Sequence, residues 1–332
     1  MCGILAFCRC PGSPVPPSSE SEKSSKKQQL EHALELIRHR GPDGANTWPS
    51  DNETVGLGHC RLAINDLTPA ALQPLHYGCT HAVVNGELYD YDRLREVCEE
   101  AGCTFSSNTD SELVLALYHI HGAPGLFEHL RGEFAFVLYD EARGKTIVGR
   151  DRYGIKPLFW TTLGDKVLFA AEAKAFMPFG WEPEWDVASI SACGWNSDDR
   201  TVFKGVRKLM PGHWIEVSDD VGIKMHKYWD LEYPDKTQPD TRNVEEIIKE
   251  TRERLVKAVR LRMKADVPMG LFISGGIDSS AVAGIMTHLA RTEHVRLGSE
   301  ASDRVTGFTI QFPEASTHDE SGIPLQYVKA VG

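Results

Sequence analysis

The spacing of apolar residues changes once along this chain, and that change divides it. From Gly41-Pro42 to about residue 218, apolar residues come in short runs such as Thr54–Ile64, His81–Val84, Phe134–Tyr139, Lys145–Gly149 and Lys166–Ala170, parted by Gly- and Asp-containing turns. Such runs read as strands joined by short connections. Residues 1–10 read as one more strand, and residues 11–27 are polar and proline-rich, which predicts a mobile loop. A helix follows with Leu30, Ala33, Leu34 and Ile37 on one face, and another is expected near Ser111–His121, with Thr109 and Glu112 spaced as a capping box. Strands outnumber helices, so a largely antiparallel, layered sheet domain is expected.

Past a linker the pattern differs. Val244, Ile248, Leu255 and Val259 define one side of a long helix over 244–264. A short apolar strand, Gly270–Ile273, leads into Ser274-Gly-Gly-Ile-Asp-Ser-Ser280, a helix Ala281–Ala290 and a second strand Val305–Phe312. That order is the β-α-β unit of a doubly wound parallel sheet. The chain therefore divides into a layered domain over 2–218, a linker over 219–242 and the start of an α/β domain over 243–332. Its 332 residues, 41% of them hydrophobic, suffice for two cores.

Bulk properties narrow the function. A net charge of −11 argues against a nucleic-acid or acidic-membrane partner. No apolar run approaches a membrane span, and the opening apolar stretch is too short for a signal peptide, being interrupted by Pro11, Gly12 and Pro14. The eight cysteines, at 2, 8, 10, 60, 79, 98, 103 and 193, form no C-x-x-C pair, and no zinc pattern follows Cys2, Cys8 and Cys10. No metal site is expected from them; reduced thiols of a cytosolic protein are.

Cys2 follows the initiator directly. Removal of Met1 would put an α-amine and a thiol on one residue, with ordinary pKa values of about 7.7–8.0 and about 8.5. Proton transfer between them is nearly balanced, so the amine can serve as the base for its own nucleophile. Taken alone, a cysteine there reads rather as a plain buried residue of an apolar strand.

Its setting speaks for the nucleophile. Met1-Cys-Gly-Ile, Arg38-His-Arg-Gly-Pro-Asp-Gly44, His59-Cys-Arg-Leu-Ala-Ile-Asn-Asp66, Gln73-Pro-Leu75, Val84-Asn-Gly-Glu-Leu-Tyr89, Asp110-Ser-Glu112, Gly132-Glu-Phe-Ala-Phe136, Gly149–Leu158, Pro211-Gly-His213 and Ser274–Ser280 follow one another in a recognisable order. In that order the chain resembles class II glutamine amidotransferases, and among them the glutamine-hydrolysing asparagine synthetases. The resemblance implies an αββα fold of layered antiparallel sheets of the N-terminal-nucleophile type, followed by an incomplete α/β ATP-pyrophosphatase domain. It implies that Cys2 is the nucleophile, that Asn85 and Gly86 form an oxyanion hole, and that glutamine is held by Arg61, Leu62, Ala63, Ile64, Asn65, Glu87 and Asp110. Arg61 would take the α-carboxylate as a charge-assisted fork, and Asp110 the α-ammonium.

Each assignment has a plainer counterpart. Asn85-Gly86 is a common turn pair. Asp110 stands where a helix dipole favours a carboxylate in any case. Arg61 would face solvent on many strands, and His39 and His59 read as surface or core histidines. The family usually has an apolar residue where Asn65 stands.

Ser274–Ser280 resembles the pyrophosphate loop of ATP pyrophosphatases, with Gly275 and Gly276 admitting phosphate oxygens and Ser279 and Ser280 opening a helix whose N–H groups favour an anion. No Walker motif is present. The resemblance implies ATP as a substrate, cleaved to AMP and pyrophosphate, with Asp278 organising Mg²⁺ and backbone contacts to adenine near Phe272 and Ile310. It implies no redox cofactor. The family reaction joins ammonia from glutamine to aspartate, through a channel closed to solvent. A synthetase half ending after one β-α-β unit leaves edges unpaired, so this polypeptide is expected to hydrolyse glutamine weakly or not at all, and not to make asparagine by itself. Two rivals stand beside this reading: a synthetase with another carboxylate acceptor, and a non-catalytic remnant that binds nucleotide or a partner. The family often pairs as homodimers, but no heptad or other interface signature appears here.

Overall fold

The computed structural model describes residues 1–15, 20–192, 197–302, 304–311, 322–324 and 326. Two compact units, Met1–Glu232 and Tyr233–Gly332, make up the chain.

The first unit contains, in chain order, β1 (Gly3–Arg9), α1 (Glu20–Leu36), β2 (Gly44–Pro49), β3 (Val55–Arg61), β4 (Leu75–Tyr77), β5 (Thr80–Leu88), α2 (Tyr91–Glu100), α3 (Leu113–His129), β6 (Gly132–Asp140), β7 (Lys145–Arg150), β8 (Phe159–Leu163), β9 (Lys166–Ala170), α4 (Val187–Ser191), β10 (Arg207–Lys208), β11 (His213–Ser218) and β12 (Gly222–Lys227). Two antiparallel sheets result, ordered β10-β8-β9-β1-β3-β2 and β12-β11-β7-β6-β5-β4.

Successive side chains of a strand point to opposite faces, and here both faces are buried. On β1, Ile4, Ala6 and Cys8 join Val83, Ala135, Val137 and Phe169 in the core between the sheets. Leu5 and Phe7 turn the other way, onto Leu30, Ala33 and Leu34 of α1 and Ile37 just after it. On β6, Ala135 and Val137 face inward, whereas Phe134 and Phe136 pack on Leu94 of α2 and Leu113 and Leu117 of α3. This is the αββα layering expected, and burial on both faces explains why β1 reads as a continuous apolar run rather than an alternating one.

Several local expectations need correction. Helix α1 begins at Glu20, inside the stretch read as a loop, and Lys26 pairs with buried Glu53 at 2.9 Å; residues 16–19 lie outside the described residues. Helix α2 was not anticipated, although Tyr91, Leu94, Val97 and Cys98 keep helical spacing in it; only Leu94 and Cys98 are buried. Helix α3 breaks at Gly122 and Ala123, just past the end expected for it, and resumes to His129. The capping box is only half formed. Thr109 accepts from the Ser111 N–H, but the Glu112 carboxylate reaches back to the Ser106 N–H and hydroxyl at 2.9 and 3.0 Å. Strand β12 pairs with β11 along its whole length, so the first unit runs past residue 218 to Glu232.

The second unit holds α5 (Val244–Arg262), β13 (Gly270–Phe272), α6 (Ile277–Glu293) and β14 (Thr306–Phe308), with β13 and β14 paired in parallel around α6. A full capping box, Asn243 with Glu246, starts α5. Of the apolar side expected on α5, only Val259 is buried, against Met263, Met286 and Leu289, while Val244, Ile248 and Leu255 are half or more exposed. Packing against α6 reaches only the C-terminal turns of α5 among the described residues. Phe312 lies outside the described residues. No described helix is long and apolar enough to cross a membrane.

Candidate active site

Cys2 stands at the head of β1. Its carbonyl accepts from Arg40 Nε at 3.0 Å, and its Sγ accepts from the Leu62 N–H at 3.4 Å. Arg40 is held in turn by Glu172 at 3.0 Å, which also pairs with His39 at 2.9 Å and Lys174 at 3.0 Å. His39 is thus a half-exposed ion-pair partner. Burial raises the Cys2 thiol above its ordinary pKa, while the Leu62 N–H, the amino terminus, Lys156 and Arg61 pull it back. Burial also lowers the terminal amine, here that of Met1, with Arg40 and Lys156 acting in the same direction.

One cavity gathers Cys2 with Arg61, Leu62, Ile64, Asn65, Asn85, Gly86, Glu87 and Asp110. Ala63 is the exception among the expected residues: it does not line this cavity, and its N–H is turned to Asp43 Oδ2 at 2.8 Å.

Asn85 and Gly86 do not make a turn. They lie within β5, opposite Ala135 and Phe134 of β6. Glycine is required there because a Cβ would stand 2.1 Å from the Glu133 carbonyl oxygen. The Asn85 side chain is 1% exposed, and its Nδ2 has no hydrogen-bond partner among the described residues. An unpaired buried donor costs about 1–3 kcal/mol, so the fold tolerates a liability at this position.

Arg61 is buried, not solvent-facing, and donates to the carbonyls of Thr68 at 2.7 Å, of Asn65 at 3.5 Å and of Asp66. Its fork therefore braces the 65–68 loop while lining the cavity. Asp110 accepts from the Leu88 N–H at 2.5 Å and from the Asn65 side chain. Burial raises its pKa, and those donors oppose the rise. Asn65 thus has a defined partner that an apolar residue would not supply. His59 is fully buried; burial lowers its pKa to about 3, and Nε2 donates to the Val84 carbonyl at 3.2 Å. It is a neutral core histidine, as the plainer reading held.

In the second unit, Ser274–Ser280 forms the strand-to-helix turn expected. Gly275 has φ +83°, and the Ser274 and Ser279 hydroxyls lie 3.1 Å apart. Ser274 Oγ accepts from the Gly276 N–H at 3.3 Å, and Ser279 Oγ donates to the Gly276 carbonyl at 3.2 Å. Asp278 sits in the first turn of α6. A left-handed glycine and the first turn of a seventeen-residue helix suit a phosphate group. No cluster of three metal-ligating side chains exists among the described residues, so Mg²⁺ would depend on phosphate oxygens with Asp278. Phe272 and Ile310 are 79% and 72% exposed, and Ile310 lies beyond the end of β14 rather than on it.

Comparison with known proteins resolves the family. The glutamine amidotransferase domain family matches residues 1–229. The chain belongs to that family. The asparagine synthase family matches residues 250–332. Along its whole length the amidotransferase is 48% identical to amidase chry2 of Gibberella zeae and 44% identical to amidase chyE of Penicillium rubens, covering 50% of each. It is 32% identical to asparagine synthetase [glutamine-hydrolyzing] 3 of Bacillus subtilis over 86% of this chain and 45% of that protein. The chain thus spans about half the length of the curated relatives it matches. The glutamine phosphoribosylpyrophosphate amidotransferase of B. subtilis, at 18% identity, shares the fold with a TM-score of 0.50, over 95% of this chain and 67% of that one.

Sequence reasoning left several lining residues of the amidotransferase cavity unassigned, Gln73 and Lys156 among them. Gln73 brackets the Val84 backbone, its Nε2 donating to the carbonyl at 3.1 Å and its Oε1 accepting the N–H at 2.6 Å. Lys156 arrives on the loop after β7, where buried Asp151 accepts the N–H groups of Phe134, Tyr153, Ile155 and Lys156 at 3.0–3.2 Å. Asp151→Ala is expected to cost about 2–3 kcal/mol, because it strands buried amide donors. Urea denaturation checks this, and an unchanged midpoint would contradict it.

Proposed function

We propose that this chain hydrolyses glutamine at Cys2 and supplies the ammonia for ATP-dependent amidation of a carboxylate. The observation that carries the reading is one cavity shared by a thiol at the chain start, a buried amide donor unpaired among the described residues, a cation and an anion. A cavity with that set suits an amino acid whose side-chain amide is to be attacked.

In this reading Met1 is removed and the new α-amine takes the proton of the Cys2 thiol. The thiolate adds to the amide carbon of glutamine. Asn85 Nδ2–H and the Gly86 N–H receive the developing oxyanion, two donors of the kind worth about 3–4 kcal/mol each in transition-state stabilisation. The C–N bond breaks as the α-ammonium returns its proton to the leaving nitrogen, giving ammonia and a thioester. Water then cleaves the thioester, the amine taking its proton, and glutamate leaves. Arg61 and Asp110 hold the substrate's α-carboxylate and α-ammonium, with Glu87 and Asn65 positioning that end. All of these residues come from the first unit, which has its own cores; that argues for hydrolysis by this chain itself, more than the sequence alone led one to expect.

In the second unit ATP activates the acceptor carboxylate at Ser274–Ser280. Aspartate is the acceptor if the chain works as the B. subtilis asparagine synthetases are named. A second reading, another carboxylic acid, is favoured by the two amidases at 48% and 44% identity. Pyrophosphate release with aspartate against other acids, in a protein spanning the relatives' full length, separates the two.

The purified chain tests the first reaction. Its intact mass should begin at Cys2, and incubation with glutamine should give glutamate and ammonia in equal amounts. Absence of both products from chain that begins at Cys2 would overturn the proposal.

A further inference from the structure

The cavity holds a second cation that the mechanism above does not use. Lys156 is 7% exposed, and its Nζ meets Glu133 Oε1 at 3.0 Å. Glu133 lies on β6 opposite Glu87 of β5, and Glu87 lines the same cavity. The lysine backbone is fixed as well: Asp151 Oδ2 accepts its N–H at 3.0 Å, and Arg150 Nε donates to its carbonyl at 2.8 Å. Removing an ammonium from water costs several kcal/mol unless a partner offsets it. A loop this constrained, delivering a cation to the cavity of a cysteine, calls for a role in the chemistry.

We propose that Lys156 is a further positioning residue of this site, acting through Cys2: its fixed ammonium favours the thiolate as nucleophile and the uncharged amine as base. Both effects have one origin. A positive charge stabilises a nearby anion and opposes a nearby cation, so it assists the group that must lose a proton and keeps free the group that must accept one. In the chain that still carries Met1, the lysine charge acts in this sense on the Cys2 thiol and on the terminal amine of Met1. The other groups around them are Arg40 from the turn after α1, Cys60 and Arg61 from β3, and Glu87 from β5. Asp110 and neutral His59 complete the titratable lining. Arg40 and Arg61 are committed to the carbonyls of Cys2 and of the 65–68 loop, and Arg40 also to the Glu172 carboxylate at 3.0 Å, whereas the Lys156 ammonium meets the Glu133 carboxylate at 3.0 Å.

The inference rests on Cys2 being the nucleophile, and its test separates the two ideas. Alkylation of Cys2 by iodoacetamide is followed against pH on the N-terminal peptide by mass spectrometry, in the whole chain and without glutamine. Lys156→Met should move the profile to higher pH and slow alkylation at pH 7.5 by about tenfold, as one pH unit of thiol shift would. Lys156→Arg should stay near wild type. Glu133→Gln, which leaves the ammonium without its counter-charge, should move the profile to lower pH, and this variant decides the matter if Lys156→Met does not fold. In ammonia release, kcat/KM of Lys156→Met should fall with its acid limb displaced in step, and KM should hold. Unchanged alkylation profiles would overturn the proposal, as would a rise in KM alone, which would make Lys156 a substrate ligand. A wild-type chain that releases no ammonia yet shows the Lys156-dependent profile would instead sink the glutaminase reading.

Discussion

Cys2→Ala is expected to reduce ammonia release from glutamine to background, a loss of about a thousandfold or more, as removal of a covalent nucleophile generally produces. The structure makes the experiment clean. The only described bonds of the thiol are with the Leu62 backbone, at 3.4 and 3.7 Å, so alanine should leave stability within about 1 kcal/mol of wild type. Cys2→Ser should fail nearly as completely, because a hydroxyl holds its proton far more tightly than a thiol and the same amine can no longer take it. An added residue that prevents removal of Met1 should reproduce the loss with the thiol intact, since the base would then belong to another residue. Wild-type rates in Cys2→Ala would exclude the cysteine from the chemistry.

Asn85→Ala should lower kcat by about 10²–10³, the usual cost of one oxyanion donor, with KM nearly unchanged. Stability should not fall with it. The Asn85 Nδ2 has no partner among the described residues, so deleting it relieves a buried unsatisfied group, and the melting temperature should hold or rise. Asn85→Asp should be the slower enzyme of the two, because it keeps the shape while placing negative charge beside the oxyanion. Gly86→Ala is the contrasting case. Its Cβ would meet the Glu133 oxygen at 2.1 Å, which forces β5 and β6 apart, so activity and stability should drop together. An Asn85→Ala protein with wild-type kcat would remove Asn85 from the oxyanion role.

The elements differ in how far the chain itself announced them. The apolar face of α1 was legible because Leu30, Ala33, Leu34 and Ile37 repeat at helical spacing and all are buried. The same reasoning failed on α5, where Val244, Ile248 and Leu255 keep helical spacing but stay exposed. Periodicity states which side of a helix is apolar, not what covers it. Helix α2 was missed although Tyr91, Leu94, Val97 and Cys98 repeat at helical spacing, over only ten residues. The Asn85-Gly86 pair shows the opposite hazard: a strong turn signal was overridden by nine residues of ladder between β5 and β6.

What the sequence determined by itself was a layered, largely antiparallel sheet domain and the strand-loop-helix of Ser274–Ser280, which follow from periods and turn residues; the αββα arrangement and the role expected of Cys2 came from the resemblance to the amidotransferases. Only the tertiary structure decided which residues share the cavity with Cys2. It admitted Lys156 from a loop far along the chain and turned Ala63 away from a motif that names it. It also made Asn85 a strand residue whose amide donor has no partner among the described residues. Those outcomes depend on the register of two stacked sheets, and register is set by the whole core rather than by any stretch of sequence.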